Sequence, residues 1–202
     1  MLGLPKSTEL SKQLPKKAIY AKFQLNTATK GKVDSDISRI TIVNEVSPTR
    51  VNLAAGESVK AFFVINVALK QKEYSDSTIA LISKLIPQHI LIILEYGNEA
   101  KLAVYRSKLI QTEWKPKESL SVQLEGLDLD AAWDNIIVQI GGIQMEQGKT
   151  LDEQIAHDEK RAKIQAEIKR LDKLARGESQ PKKKFELAQQ INKLKQELEV
   201  SR

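Results

Sequence analysis

The chain reads as an α+β fold, a mainly antiparallel sheet with flanking helices, followed by a C-terminal antiparallel helical hairpin of coiled-coil type. Three observations lead there. Apolar residues alternate with a period of two in runs between residues 38 and 124, and two of these runs form the chain's best hairpin around Gly97-Asn98. From residue 150 the apolar spacing changes to threes and fours. The resulting division is an α+β domain over 1–145, opening with a basic segment, and a helical hairpin over 150–202.

From the N-terminus, Pro5 and Pro15 bracket 6–14, which has room for one short helix capped by Ser7 or Thr8. A second short helix follows Pro15, where Ala18, Ile19 and Phe23 fall at helical spacing, so 1–36 reads as helical and loop-rich. From Ser38 onward Ile40, Ile42 and Val46 alternate with polar positions, until Ser47-Pro48 turns the chain. The clearest strand spans 59–69. Val59, Ala61, Phe63, Ile65, Val67 and Leu69 line one face, and Phe62 and Val64 make the other apolar too, as in a central strand covered on both sides.

A helix over 75–87 carries Ile79, Ile82 and Ile86, with Ser77 as its cap and Pro87 as its stop. Strands 90–96 and 101–107 form a hairpin around Gly97-Asn98, and 119–124 supplies a further strand. Asp128 and Asp130 suit a helix N-terminus. Ala132, Trp133, Ile136, Ile137 and Ile140 give that helix its apolar face, and Gly141-Gly142 stops it.

In the C-terminal quarter, Thr150 and Glu153 have capping-box spacing, so a helix starts at Leu151 and runs through Ile155, Ile164, Ile168, Leu171 and Leu174. Its length is on the order of 39 Å at 1.5 Å per residue. Residues 177–181 break it. A second helix carries Leu187, Ile191, Leu194 and Leu198 at four, three and four, the seam of a coiled coil. The two fold back on each other most simply as a hairpin. Ile164, Ile168, Leu171, Ile191, Leu194 and Leu198 either close that hairpin or dock a partner, including a second copy in a homodimer.

Composition bounds the chemistry. The 202 residues are 41% hydrophobic and 29% charged, enough for a true core. No cysteine is present, which excludes thiolate nucleophiles, disulfides and cysteine zinc sites. The longest apolar runs, such as 90–94, fall far short of the roughly 18 residues of a membrane span, so the expectation is a cytoplasmic protein without membrane contact. The net charge of +6 resides in the first 32 residues, where seven lysines face one acid. Lys6, Lys12, Lys16, Lys17 and Lys22 there, with Lys182, Lys183 and Lys184 near the C-terminus, either attract DNA phosphates nonspecifically or form a solvated surface.

His89 and His157 share no metal-ligand spacing, and neither a phosphate-binding glycine loop nor a G-x-S-x-G elbow occurs, so no cofactor or metal is implied. Glu99-Ala100-Lys101 has the E-x-K form of metal-dependent nucleases, in which a second acid, here Glu95 or Asp76, would complete a magnesium site. Against that, glutamate and lysine at a hairpin tip are ordinary solubilising residues. Trp114, amid polar residues, is either a docking side chain or a cover for a sheet edge.

Leu4-Pro5-Lys6-Ser7-Thr8, Leu14-Pro15-Lys16, Val51-Asn52-Leu53 and the block from Ile86-Pro87 through Tyr105 resemble the bacterial domain-of-unknown-function 4391 family over nearly the whole chain. Those motifs have no assigned chemistry. The resemblance implies a setting beside helicases and DNA methyltransferases in restriction-like defence clusters. The expected role is a non-catalytic accessory subunit of an antiphage system, bound to a helicase or methyltransferase and touching DNA. A divergent metal-dependent nuclease and a homodimeric structural protein stand as alternatives.

Overall fold

The computed structural model describes residues 2–200, which divide into two compact units, one ending at Gln144 and the other beginning at Met145. In the first unit the elements run β1 (Glu9–Leu14), α1 (Lys16–Phe23), α2 (Thr27–Asp36), β2 (Ile37–Val46), β3 (Phe62–Leu69), α3 (Asp76–Ile82), β4 (His89–Tyr96), β5 (Glu99–Tyr105), β6 (Leu109–Gln111), β7 (Lys115–Pro116) and α4 (Leu129–Gly141). The second unit holds α5 (Leu151–Gly177) and α6 (Pro181–Val200). No helix among the described residues is long and apolar enough to cross a membrane.

The strands form a single sheet in the order β1-β2-β3-β4-β5-β6, with β7 also on β5. Every ladder is antiparallel except β3 with β4, which α3 joins as a crossover. One face carries Ile65, Val67 and Leu69 of β3 and Ile90, Ile92 and Leu94 of β4, packed under Ile19 of α1, Val33 of α2 and Ile79 and Ile82 of α3. On the other face lie Phe62 and Val64, and there Trp133 of α4, only 1% exposed, packs its ring 5.1 Å from that of Phe62 and 5.1 Å from that of His89.

Departures from the sequence reading have physical causes. Segment 6–14 is a short 3-10 turn, Lys6–Thr8, followed by strand β1, instead of a helix. Nine residues without an apolar stripe cannot hold a helix alone, whereas β2 offers them an open edge, with Leu14 opposite Ile40. In β2 the register shifts between Ile42 and Asn44, so Ile42 and Val46 face opposite sides. β3 starts at Phe62 and not at 59. The amides of Glu57, Ser58 and Val59 donate instead to the Asp130 carboxylate at 2.7, 3.2 and 2.6 Å. α3 ends at Ile82, five residues short of Pro87. Its N-terminus is tied by the buried Asp36 carboxylate, which accepts from Ser75 N and Thr78 Oγ1 at 3.1 Å each. Residues 119–124 form no strand, because the Gln139 side-chain amide takes both the N–H and the C=O of Gln123 at 2.9 Å. β6 and β7 lie in a stretch where no strand was expected.

α4 begins at Asp128, whose carboxylate accepts from Ala131 N, and ends at Gly142 in the left-handed conformation with φ 57°. α5 opens with the full Thr150/Glu153 capping box. The C-terminal helices pack on each other through Ile164, Ile168, Leu171 and Ile191, with Ala175, Leu187, Leu194 and Leu198 alongside.

Two outcomes follow. The three amides hold the Asp130 carboxyl below its usual range, Val59 N contributing most, so its stabilising effect is present above pH 4 and fades as the group protonates. Asp130→Asn therefore lowers the thermal midpoint at pH 7, and the gap to wild type closes as pH falls below about 4. Ile191→Ala costs about 2–4 kcal/mol in urea denaturation followed by helical circular dichroism, while Leu174→Ala, at an exposed position, changes it by less than about 0.5 kcal/mol.

Candidate functional site

The carboxyl ends of parallel strands are where an open sheet most readily leaves a crevice, and here that point is the end of β3 and β4. Lys72 and Tyr74 lie on the chain leaving β3, Asp76 starts α3, Glu99 and Lys101 start β5, and Gln111 and Trp114 follow on the edge. The pairing explains why they meet. Tyr96 opposes Glu99, Leu94 opposes Lys101 and Ala103 opposes Gln111, so Glu99, Lys101 and Gln111 share the face that α3 covers.

Lys101 Nζ sits 5.0 Å from the Tyr74 ring centre and 5.3 Å from that of Trp114. Lys72 Nζ lies 5.4 Å from the same indole and pairs with Glu99 at 2.5 Å. Tyr74 O–H donates to Gln111 Oε1, and Gln111 Nε2 donates to Asp76 Oδ1 at 3.0 Å. Burial lowers the Lys101 amine below the usual lysine range, against the opposing pull of Asp76 and Glu113. The electron-rich ring faces recover part of what that burial costs. Burial likewise raises the Tyr74 phenol, Asp76 adding to the effect.

Glu95 belongs elsewhere. It opposes Ala100, so it points to the α4 face, away from Glu99. There Asn66 Nδ2 donates to one carboxylate oxygen at 2.8 Å and Lys117 Nζ to the other at 2.9 Å. Burial pushes the Glu95 carboxyl up, but these two hydrogen bonds and the charges of Lys117 and Arg39 hold it below its usual value overall. One magnesium ion cannot touch both Glu95 and Glu99 through the sheet. Among the described residues no group of three or more His, Asp or Glu is placed to hold a metal. The pair that does share a face with Lys101, Glu99 and Asp76, is taken up by Lys72 and Gln111.

The lysines divide into two sets. Lys16 pairs with Asp34 at 3.1 Å, and Asp34 also accepts from Tyr20 O–H at 2.5 Å. Lys22 donates to the Leu85 carbonyl at 2.6 Å. These two serve the first unit's own structure. Lys6 in the 3-10 turn, Lys12 on edge strand β1 and Lys17 on α1 point to solvent. Lys182, Lys183 and Lys184 are exposed on the first turn of α6. Trp114 is half-buried and packs against the helix-side core while keeping its lysine contacts.

His89 lies under Trp133 at the far end of β4, where burial first, and Arg106 second, lower its pKa. Sequence reasoning missed Lys72, Tyr74 and Gln111 as members of the lysine-aromatic cluster, and Asn66 and Lys117 as the partners of Glu95. An asparagine within an otherwise apolar central strand was the one local sign that a polar group waited beside it.

A family model described as "Domain of unknown function (DUF4391)" matches residues 2–198. Compared with the curated proteins and with the solved structures, the chain matches none. The cluster's electrostatics give a direct check. In a sample with isotopically methylated lysines, the Lys101 amine titrates below the exposed lysines, and a midpoint near the ordinary value of about 10.4 would show that the two rings fully offset burial.

Proposed function

The chain belongs to the DUF4391 family, and from that premise we propose that it is a non-catalytic accessory subunit of a helicase- and methyltransferase-associated antiphage system. It docks a protein partner through its helical arm and adds nonspecific affinity for DNA. The observation that carries the reading is the arm. Two helices of 27 and 20 residues close their apolar seam on each other, yet leave Leu174 and Phe185, 48% and 63% exposed, near the exposed Lys182, Lys183 and Lys184 at the loop end. Exposed apolar side chains gathered into one patch with a polar rim mark contact sites, whereas isolated ones are ordinary. Ile164, Ile168, Leu171 and Ile191 are buried in the hairpin, which favours docking through residues outside the seam and weighs against a homodimer built on that same seam.

The separation of Glu95 and Glu99 by the sheet weighs against the nuclease alternative. Phosphate contact, in turn, rests on Lys6, Lys12, Lys17, Lys182, Lys183 and Lys184, because Lys16 and Lys22 are engaged within the chain.

A tagged pull-down from the native host, with and without nuclease, tests the reading. A stoichiometric helicase or DNA methyltransferase that survives nuclease is expected, together with salt-sensitive duplex binding. Lys12→Gln or Lys17→Gln should each lower the slope of log affinity against log salt by about 0.9, whereas Lys16→Gln should change it little. Absence of both the partner and the salt-sensitive binding would overturn the proposal.

A further inference from the structure

At the loop end of the arm, two stripes of side chains with the same spacing run side by side. On α5 they are Arg170, Lys173, Leu174 and Gly177, and on α6 they are Lys183, Glu186, Leu187 and Gln190, each at i, i+3, i+4 and i+7. Together they wall an open groove of about 800 Å³. Its floor is apolar, formed by Leu174 and Leu187. Its emptiness has a sequence cause, since the last seam residue of α5 is the small Ala175 and the chain then reaches Gly177, where a Cβ would meet nothing within 4 Å. Each stripe spans eight residues, a rise of roughly 10 Å or two helical turns.

The charge of the walls selects the occupant. Lys173 and Lys183 make no ion pair among the described residues, and Lys182 and Lys184 crowd the first turn of α6. Two acids line the groove, Glu178, which accepts from Gln180 N at 2.8 Å, and Glu186; Arg170 is paired with Glu167, so these two carboxylates face the four lysines Lys173, Lys182, Lys183 and Lys184 and the loop end stays net basic. Two parallel stripes with an apolar floor and basic rims present the surface into which a third amphipathic helix lays its apolar face.

We propose that this groove binds an acidic amphipathic helix of a partner protein, seating one or two large apolar residues over Leu174 and Leu187 with its carboxylates against Lys173 and Lys183. The inference rests on the docking role proposed for the arm, and names its contact surface and the partner's chemistry.

The probe is a fluorescein-labelled synthetic helix with leucines at i, i+3, i+4 and i+7 and glutamates elsewhere on that face, set against a copy with lysines for glutamates and read by fluorescence anisotropy on the full chain. The acidic peptide should bind at roughly tens of micromolar in low salt and weaken as salt rises. Leu174→Asp should weaken it about tenfold or more, and a Lys173→Glu, Lys183→Glu double variant should reverse the preference toward the lysine peptide. Leu174 is exposed, so Leu174→Asp leaves the hairpin folded, and unchanged helical circular dichroism verifies it. Equal binding of the two peptides, binding by neither, or indifference to Leu174→Asp would overturn the inference. So would a homodimer in sedimentation equilibrium that Leu174→Asp dissociates, because the groove would then hold a second copy. The native-host pull-down repeated with Leu174→Asp separates the two proposals: a partner still retained stoichiometrically refutes the groove and leaves the docking role standing.

Discussion

Burial of β3 and β4 on both faces is the constraint on which the first unit is built. Val64 and Ile65, or Ile93 and Leu94, are neighbours in sequence that point to opposite sides, and all four are buried, none more than 1% exposed. At about 25 cal/mol per Å² of apolar surface, leaving either side uncovered would forfeit several kilocalories per strand. Each face must therefore be roofed, one by α1, α2 and α3 and the other by α4. The parallel pairing adds a requirement of its own, since the chain must cross over a face to re-enter in the same direction, and α3 is that crossover. Asp36 and Asp130 then fix the roofs. The first carboxylate ties the start of α3 to the end of α2, and the second ties the start of α4 to the chain entering β3.

The same two-sidedness governs the polar groups. Glu95 and Glu99 are four residues apart across a two-residue turn, and the turn pairs Tyr96 with Glu99, which puts the acids on opposite faces. Each then meets a different lysine, Lys117 for Glu95 and Lys72 for Glu99. A motif that looks like one site along the chain becomes two separate ion pairs in space. The parity that divides them was legible in principle from the length of the Gly97-Asn98 turn. The lysine-aromatic cluster was not, because Lys72, Lys101 and Trp114 are brought together by the crossover and by β5, and no periodicity connects them.

The C-terminal unit obeys simpler rules. Its seam repeats at three and four residues, its start is a capping box, and its loop runs from Gly177 to Pro181, so pattern alone specifies both helices. Where the pattern weakens, at Ala175 and Gly177, packing weakens with it, and the groove beside Leu174 and Leu187 is the outcome.

By itself the sequence determined the class of the fold, strand β3, the hairpin of β4 and β5, helix α4 with its glycine stop, and the paired C-terminal helices. In each of these a repeat of two or of three and four, closed by a cap or turn residue, makes the local preference agree with the buried face. Tertiary structure decided the identity of β1, the shortened starts and ends of β3 and α3, the loss of a strand over 119–124, and the company kept by Glu95, Glu99 and Lys101. There the deciding partners are distant in sequence: an open edge on β2, a carboxylate at Asp130, a side-chain amide at Gln139 and lysines at 72 and 117. A backbone amide or a carboxylate takes whatever partner the fold brings within about 3 Å, and no local pattern encodes that choice.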